Sequence, residues 1–288
     1  MFTLSHGGLV LDVAPDSGAG ISRFAFEGKN VLRPTPPGSI NVHDMCSFPL
    51  IPFANRIENG VLKLDNREVR LQRNMGDHPH TIHGHGWLVP WRVESLSSNL
   101  ATLAYDYKPG DWPWAYSGEQ IFTLNESGLT VRLSVRNRDT GEMPVSLGFH
   151  PYFPKSPHTR LTASVKGKWL ADDTMIPTQH VAGSAPLDLE HGAMLSEAPF
   201  VDTCFTDWRE PARIEQPEDG LAVTLSASPE CTFFHVYIPQ NKPFFAAEPV
   251  SAMPNSFNRP EPASVTGARM LAPGESFAIE MRLSVSKL

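Results

Sequence analysis

The sequence predicts an all-β protein built as a large antiparallel β-sandwich. Apolar residues recur at every second position along several stretches, and turn formers separate those stretches. The 27 prolines and 21 glycines are spread over all 288 residues rather than gathered in one linker. Neither residue suits a helix interior, and no amphipathic stretch carries both a start and a stop signal. All-β architectures often use this length as one domain, so a single domain over residues 1–288 is expected.

Successive side chains of a strand point to opposite faces, so a period of two marks a half-buried strand. Near the N-terminus, GGLVLDVAP alternates through Leu9, Leu11 and Val13. IFTL, the turn NESG and GLTVRLSVRN then read as a hairpin. In its second arm Leu129, Val131, Leu133 and Val135 face one way, while Thr130, Arg132, Ser134 and Arg136 face the other. Residues 178–199, rich in small and polar side chains, read as a long surface loop. At the C-terminus Phe277, Ile279, Met281, Leu283 and Val285 alternate with polar or small neighbours.

Composition narrows the partners. Hydrophobic residues make up 41% of the chain, enough for a sizeable core. The net charge is −7 and no dense Lys/Arg cluster occurs, which disfavours nucleic acid and anionic membrane as partners. No apolar run approaches the ~18 residues of a membrane span. The cysteines, Cys46, Cys204 and Cys231, are odd in number and far apart, against a disulfide framework or a structural zinc site. MFTLSHGGLVLDVAP lacks the basic and apolar regions of a signal peptide. A reduced cytoplasmic setting is expected.

Several stretches place polar groups beside turn formers. In FPLIPFANRIENG, Asn55 and Arg56 follow an apolar run; an arginine fork beside an amide suits sugar hydroxyls or a carboxylate, and equally a surface ion pair. In DHPHTIHGHGW, His83 and His85 would share one strand face and invite a metal, but a third firm ligand is missing. The same histidines suit a polar pocket wall with Trp87 as a stacking platform. In LGFHPYFP, His150 sits between a glycine and a proline, either packed and inert or poised for proton transfer. In FFAAEPVSAMPNSFN, Glu248 ends an apolar run, where partial desolvation would make it a better base; an exposed glutamate at a strand end is the plain alternative. Asp202, in APFVDTCFTDW, also follows an apolar pair. Neither a GxSxG elbow nor a glycine-rich phosphate loop is present.

In order along the chain, ANRIENG, TIHGHGW, PWAYSGEQIFTLNESGLTVRLSVRN, GFHPYF, VDTCF and FFAAEPVSAMPNSFN resemble the aldose 1-epimerases, or mutarotases. GGLVLDVAPDSGAGISRFAFEGKNVLRP resembles that family's N-terminal strands, so the likeness covers nearly the whole chain. The resemblance implies a supersandwich with a sugar-binding cleft, interconversion of the α and β anomers of a free aldose such as galactose or glucose, and neither cofactor nor metal. It implies His150 as proton donor, Glu248 as general base, and Asn55, Arg56, His83 and Asp202 as substrate-binding residues. This chain departs from the family at His85, where many members have glycine, and at Ala252, where related chains often carry histidine. Gln240 is a looser match to a sugar-contacting glutamine. Two other activities fit the same frame. A hexose-6-phosphate mutarotase would need further cleft cations, with Arg56, Arg73, Arg92, Arg209 and Arg259 as candidates. A non-catalytic sugar-binding protein would keep the cleft and lose the reaction.

Overall fold

The hairpin and the C-terminal period-two segment pair side by side, and their apolar rows meet that of the N-terminal segment in one core. A computed structural model describes residues 1–64, 67–209 and 211–288. Among these residues the largest sheet has nine strands, in the order 92–96, 100–107, 116–125, 128–137, 276–287, 221–227, 212–216, 160–162 and 193–194. The expected hairpin is Tyr116–Asn125 and Gly128–Asn137, with Asn125 opposite Gly128 across the turn. Leu129, Val131, Leu133 and Val135 are buried, and the C-terminal strand Ser276–Lys287 lays Phe277, Ile279, Met281 and Leu283 beside them. The N-terminal alternation lies in a four-stranded sheet with Leu9, Leu11 and Val13 inward.

A second large sheet carries the site. Its strands run 177–182, 167–171, 201–206, 233–238, 244–250, 148–149 and 49–50, with 152–154 also pairing to 244–250. The strand pairings are antiparallel throughout. Phe205, Phe234, Val236, Ile238, Phe245 and Ala247 point into the main core, shared with the nine-stranded sheet. Side chains one residue out of step, Asp202, His235 and Glu248, therefore project from the opposite face. That face forms the floor of a cleft.

Two expectations change. The stretch 178–199 is not loop throughout: Pro177–Ala182 is an edge strand paired to Gly167–Ala171. Most of its side chains are exposed, so it lacks the buried row that marks a strand in sequence. His83 and His85 do not share a strand face, because the strand there is only Thr81–Ile82. His83 takes left-handed backbone (φ 60°) and the chain turns at Gly84 (φ 69°). A side chain at Gly84 would run into the Ile51 carbonyl, so the turn needs glycine. The described residues hold one four-residue α-helix, Ala263–Thr266, and no helix long and apolar enough to cross a membrane.

Candidate active site

The cleft has a volume of about 640 Å³, and Asn55, Arg56, His83, His150, Asp202 and Glu248 all line it. Residues scattered from position 55 to 248 thus converge on one wall. Glu248 lies inside the strand Phe244–Val250 rather than at its end, and is 1% exposed. His150 follows the short strand Gly148–Phe149, which pairs to the same strand through Gly148 and Val250. A Cβ on Gly148 would approach Val250 Cγ1 to 2.6 Å, so glycine lets the His150 segment seat this closely. The His150 N–H donates to the Phe48 carbonyl (3.2 Å). Its ring packs against both Phe48 and Tyr152, with centroids 4.7 and 4.5 Å away.

His150 Nε2 then stands 3.3 Å from Glu248 Oε1. His150 Nδ1 and Glu248 Oε2 are buried without a protein partner. Burial lowers the His150 pKa to about 3, with the positive charge of Arg33 acting the same way. Burial, then the negative charge of Asp202, push Glu248 well above the usual carboxylate range. Each group of the pair therefore favours its neutral form, which differs from the protonated imidazole and ionised carboxylate expected from the resemblance. Desolvation is the physical reason: His150 packs against Phe48 and Tyr152 and is 7% exposed, and Glu248, within its strand, is 1% exposed. Burial also lowers the His83 pKa well below its ordinary value, and His83 Nδ1 accepts the Asn55 N–H (3.2 Å).

Beside this pair lies an ionic group. Arg56 donates from Nη2 to Asp202 Oδ2 (2.6 Å) and from Nη1 to Asp202 Oδ1 (3.2 Å). Arg56 Nη1 also donates to Asn55 Oδ1 (3.0 Å). His235, which the sequence reading missed, stands 2.8 Å from Asp202 Oδ1 through Nε2. Burial alone would raise the Asp202 pKa; the His235 hydrogen bond and the Arg56 charge outweigh it and hold the carboxylate below its usual range. A signal for His235 was available: it is the one strongly polar residue inside the apolar strand FFHVYI, and it is 3% exposed.

Other expectations are corrected here. Trp87 is 1% exposed and stacks behind Phe48 (centroids 5.4 Å), so it lies under the wall and presents no sugar platform. Tyr152 does line the cleft, as does Phe244. Gln240 is exposed at a turn and does not line it. His85 points away to Asp111, with Nε2 2.9 Å from Oδ1. Among the described residues no group of three or more His, Cys, Asp or Glu is arranged to hold a metal ion. Of the candidate arginines only Arg56 lines the cleft, joined by Arg33, which the sequence reading did not single out.

Comparison with known proteins agrees with fold and motif order. The sequence model of the family described as aldose 1-epimerase matches residues 1–284. The uncharacterized protein YphB of Escherichia coli K12 is 36% identical over 301 residues, covering 100% of this chain and 99% of the relative. A crystal structure from the same organism, described as a candidate aldose 1-epimerase, superposes with a TM-score of 0.90 at 35% identity, covering 100% of this chain and 99% of that one. A galactose mutarotase-like protein of Clostridium acetobutylicum shares the fold at 22% identity, with a TM-score of 0.89 and coverage of 99% and 95%. The chain belongs to the aldose 1-epimerase family.

Proposed function

We propose that this chain is a mutarotase, a cofactor-independent isomerase that interconverts the α and β anomers of a free aldose within one domain spanning its length. The observation that carries the proposal is the close pairing of His150 Nε2 with Glu248 Oε1, 3.3 Å apart on the floor of a sugar-sized cleft. Ring opening needs a base for the C1 hydroxyl proton and an acid for the ring oxygen. Glu248 takes the hydroxyl proton and His150 gives one to the ring oxygen; the ring C–O bond breaks and a carbonyl forms at C1. Rotation about C1–C2 and reversal of the steps close the ring on the other face.

The neutral carboxyl–imidazole pair holds as many protons as the carboxylate–imidazolium pair. Moving one proton from Glu248 to His150 therefore generates the base and the acid together, with no proton gained or lost by the pair. Arg56, Asn55, His83 and Asp202 hold the remaining hydroxyls, with the donors fixed before substrate arrives. The buried free thiols Cys46, Cys204 and Cys231 support a reducing, cytoplasmic setting for the protein.

One observation favours a second reading, a hexose-6-phosphate mutarotase. Arg33 lines the cleft with its guanidinium over Tyr152 (4.1 Å) and Phe244 (4.6 Å), and its Nη2 donates to the backbone carbonyls of His43 and Met45 rather than to a carboxylate. Polarimetry of freshly dissolved α-galactose, α-glucose and other free aldoses, with a coupled anomer-specific assay for glucose 6-phosphate, tests both. Acceleration of a free aldose is expected. Acceleration confined to the phosphate selects the second reading, and saturable binding without any acceleration refutes both and leaves a sugar-binding protein.

A further inference from the structure

We infer that His235 is the positioning residue of this site. It locks Asp202, and through Asp202 and Asn55 the Arg56 guanidinium, into one orientation toward the sugar. The inference rests on the function proposed above and concerns how its binding wall is pre-organised.

The four side chains close a ring of hydrogen bonds. Arg56 meets Asn55 Oδ1 and both Asp202 oxygens, His235 Nε2 meets Asp202 Oδ1, and His235 Nδ1 meets Asn55 Nδ2 at 3.3 Å. The donor directions follow from one fact: a guanidinium only donates. Asn55 must therefore turn Oδ1 to Arg56 and Nδ2 to His235. An amide N–H₂ only donates, so His235 Nδ1 is the bare acceptor. The proton of the neutral ring is then on Nε2, where it is donated to Asp202. No link can be reversed without placing two donors or two acceptors face to face.

Both ring nitrogens of His235 are thus spent on protein partners, although the ring lines the cleft. Its part is to hold others. Asp202 and His235 sit on adjacent strands, and His235 lies directly opposite Glu248 on the next one. The sheet register therefore fixes the sugar-holding arginine relative to the proton-transferring carboxylate. Without the His235 bond, Asp202 and Arg56 keep their mutual attraction but lose the link that fixes their orientation.

Two variants separate the bonds. His235→Gln carries an amide nitrogen to about the position of Nε2 and keeps the donor for Asp202. His235→Asn reaches only as far as Nδ1 and loses it. Losing one hydrogen bond to a charged group predicts a KM for the free aldose about tenfold higher in the Asn variant, with kcat within about threefold of wild type. The Gln variant is expected within about threefold in both. Wild-type kinetics in the Asn variant, equal impairment in both, or a loss lying mainly in kcat overturns the inference. Crystal structures give a readout free of activity: both Arg56–Asp202 contacts kept in the Gln variant and rearranged in the Asn variant are expected. An undisturbed pair in the Asn variant overturns the inference. If that variant does not fold, loss of the pair in the Gln variant does so. A wild-type protein inactive on every free aldose refutes the mutarotase proposal instead, and the crystal structures then decide on His235 alone.

Discussion

Replacing Glu248 by Gln keeps the shape of the side chain and removes its capacity to accept a proton. General-base catalysis contributes roughly 10²–10⁴-fold. The upper half of that range applies here, because the other carboxylate lining the cleft, Asp202, is committed to Arg56 and His235 and cannot substitute. The expected loss in kcat is about 10³–10⁴-fold, or roughly 4–5.5 kcal/mol of barrier. The fold is expected to survive and, above the carboxylate range, to gain. Glu248 has its folded pKa raised by burial. Its contribution to stability is therefore full below the unfolded carboxylate value of about 4.3 and is lost as pH rises through the folded value. Glutamine has no such loss, so the melting temperature of the variant relative to wild type should climb as pH rises. Polarimetry of fresh α-glucose and α-galactose reads the first effect; calorimetry across pH reads the second. A variant within tenfold of the wild-type rate refutes the assignment, and a melting-temperature difference that falls with rising pH refutes the electrostatics.

The His150→Asn variant is expected to lose activity by a similar factor; because burial lowers the wild-type His150 pKa to about 3, the wild-type kcat/KM should show no step near the ordinary histidine value of about 6.5 that this variant abolishes, and a pH–rate series finding one contradicts the reading. Asp202→Asn strips the partner from Arg56, whose side chain is 13% exposed, at a cost of roughly 3–5 kcal/mol in urea unfolding near neutral pH. Because the Asp202 pKa is lowered, that cost should shrink as pH falls through the carboxylate's depressed folded value; an unchanged cost in acid contradicts it. Gly84→Ala forces a side chain into left-handed backbone beside the Ile51 carbonyl. A loss of at least ~1 kcal/mol in chemical unfolding is expected, with a raised KM because His83 shifts; wild-type stability would show the turn to be more tolerant.

The all-β class was legible because alternation is local. Leu129 to Val135 and Phe277 to Leu283 carry their facing in their own order, and the sheets follow it. The edge strand Pro177–Ala182 was not legible, since an exposed strand has no buried row to show. The motif order marked Asn55, Arg56, His83, His150, Asp202 and Glu248 as candidates, and the fold brings them to one cleft. It did not mark His235, whose polarity inside an apolar strand gains meaning only beside Asp202, 33 residues away in the chain.

By itself, then, the sequence determined the strand pattern, the family and a set of candidate side chains. These are properties of residue type and spacing, written along one dimension. Tertiary structure decided which groups meet and how dry they are. It set His150 against Glu248, tied Asp202 to Arg56 and His235, and hid Trp87 behind Phe48. Distance and desolvation between strands remote in the chain depend on sheet register and packing, and it is these that set which group of the pair holds the proton.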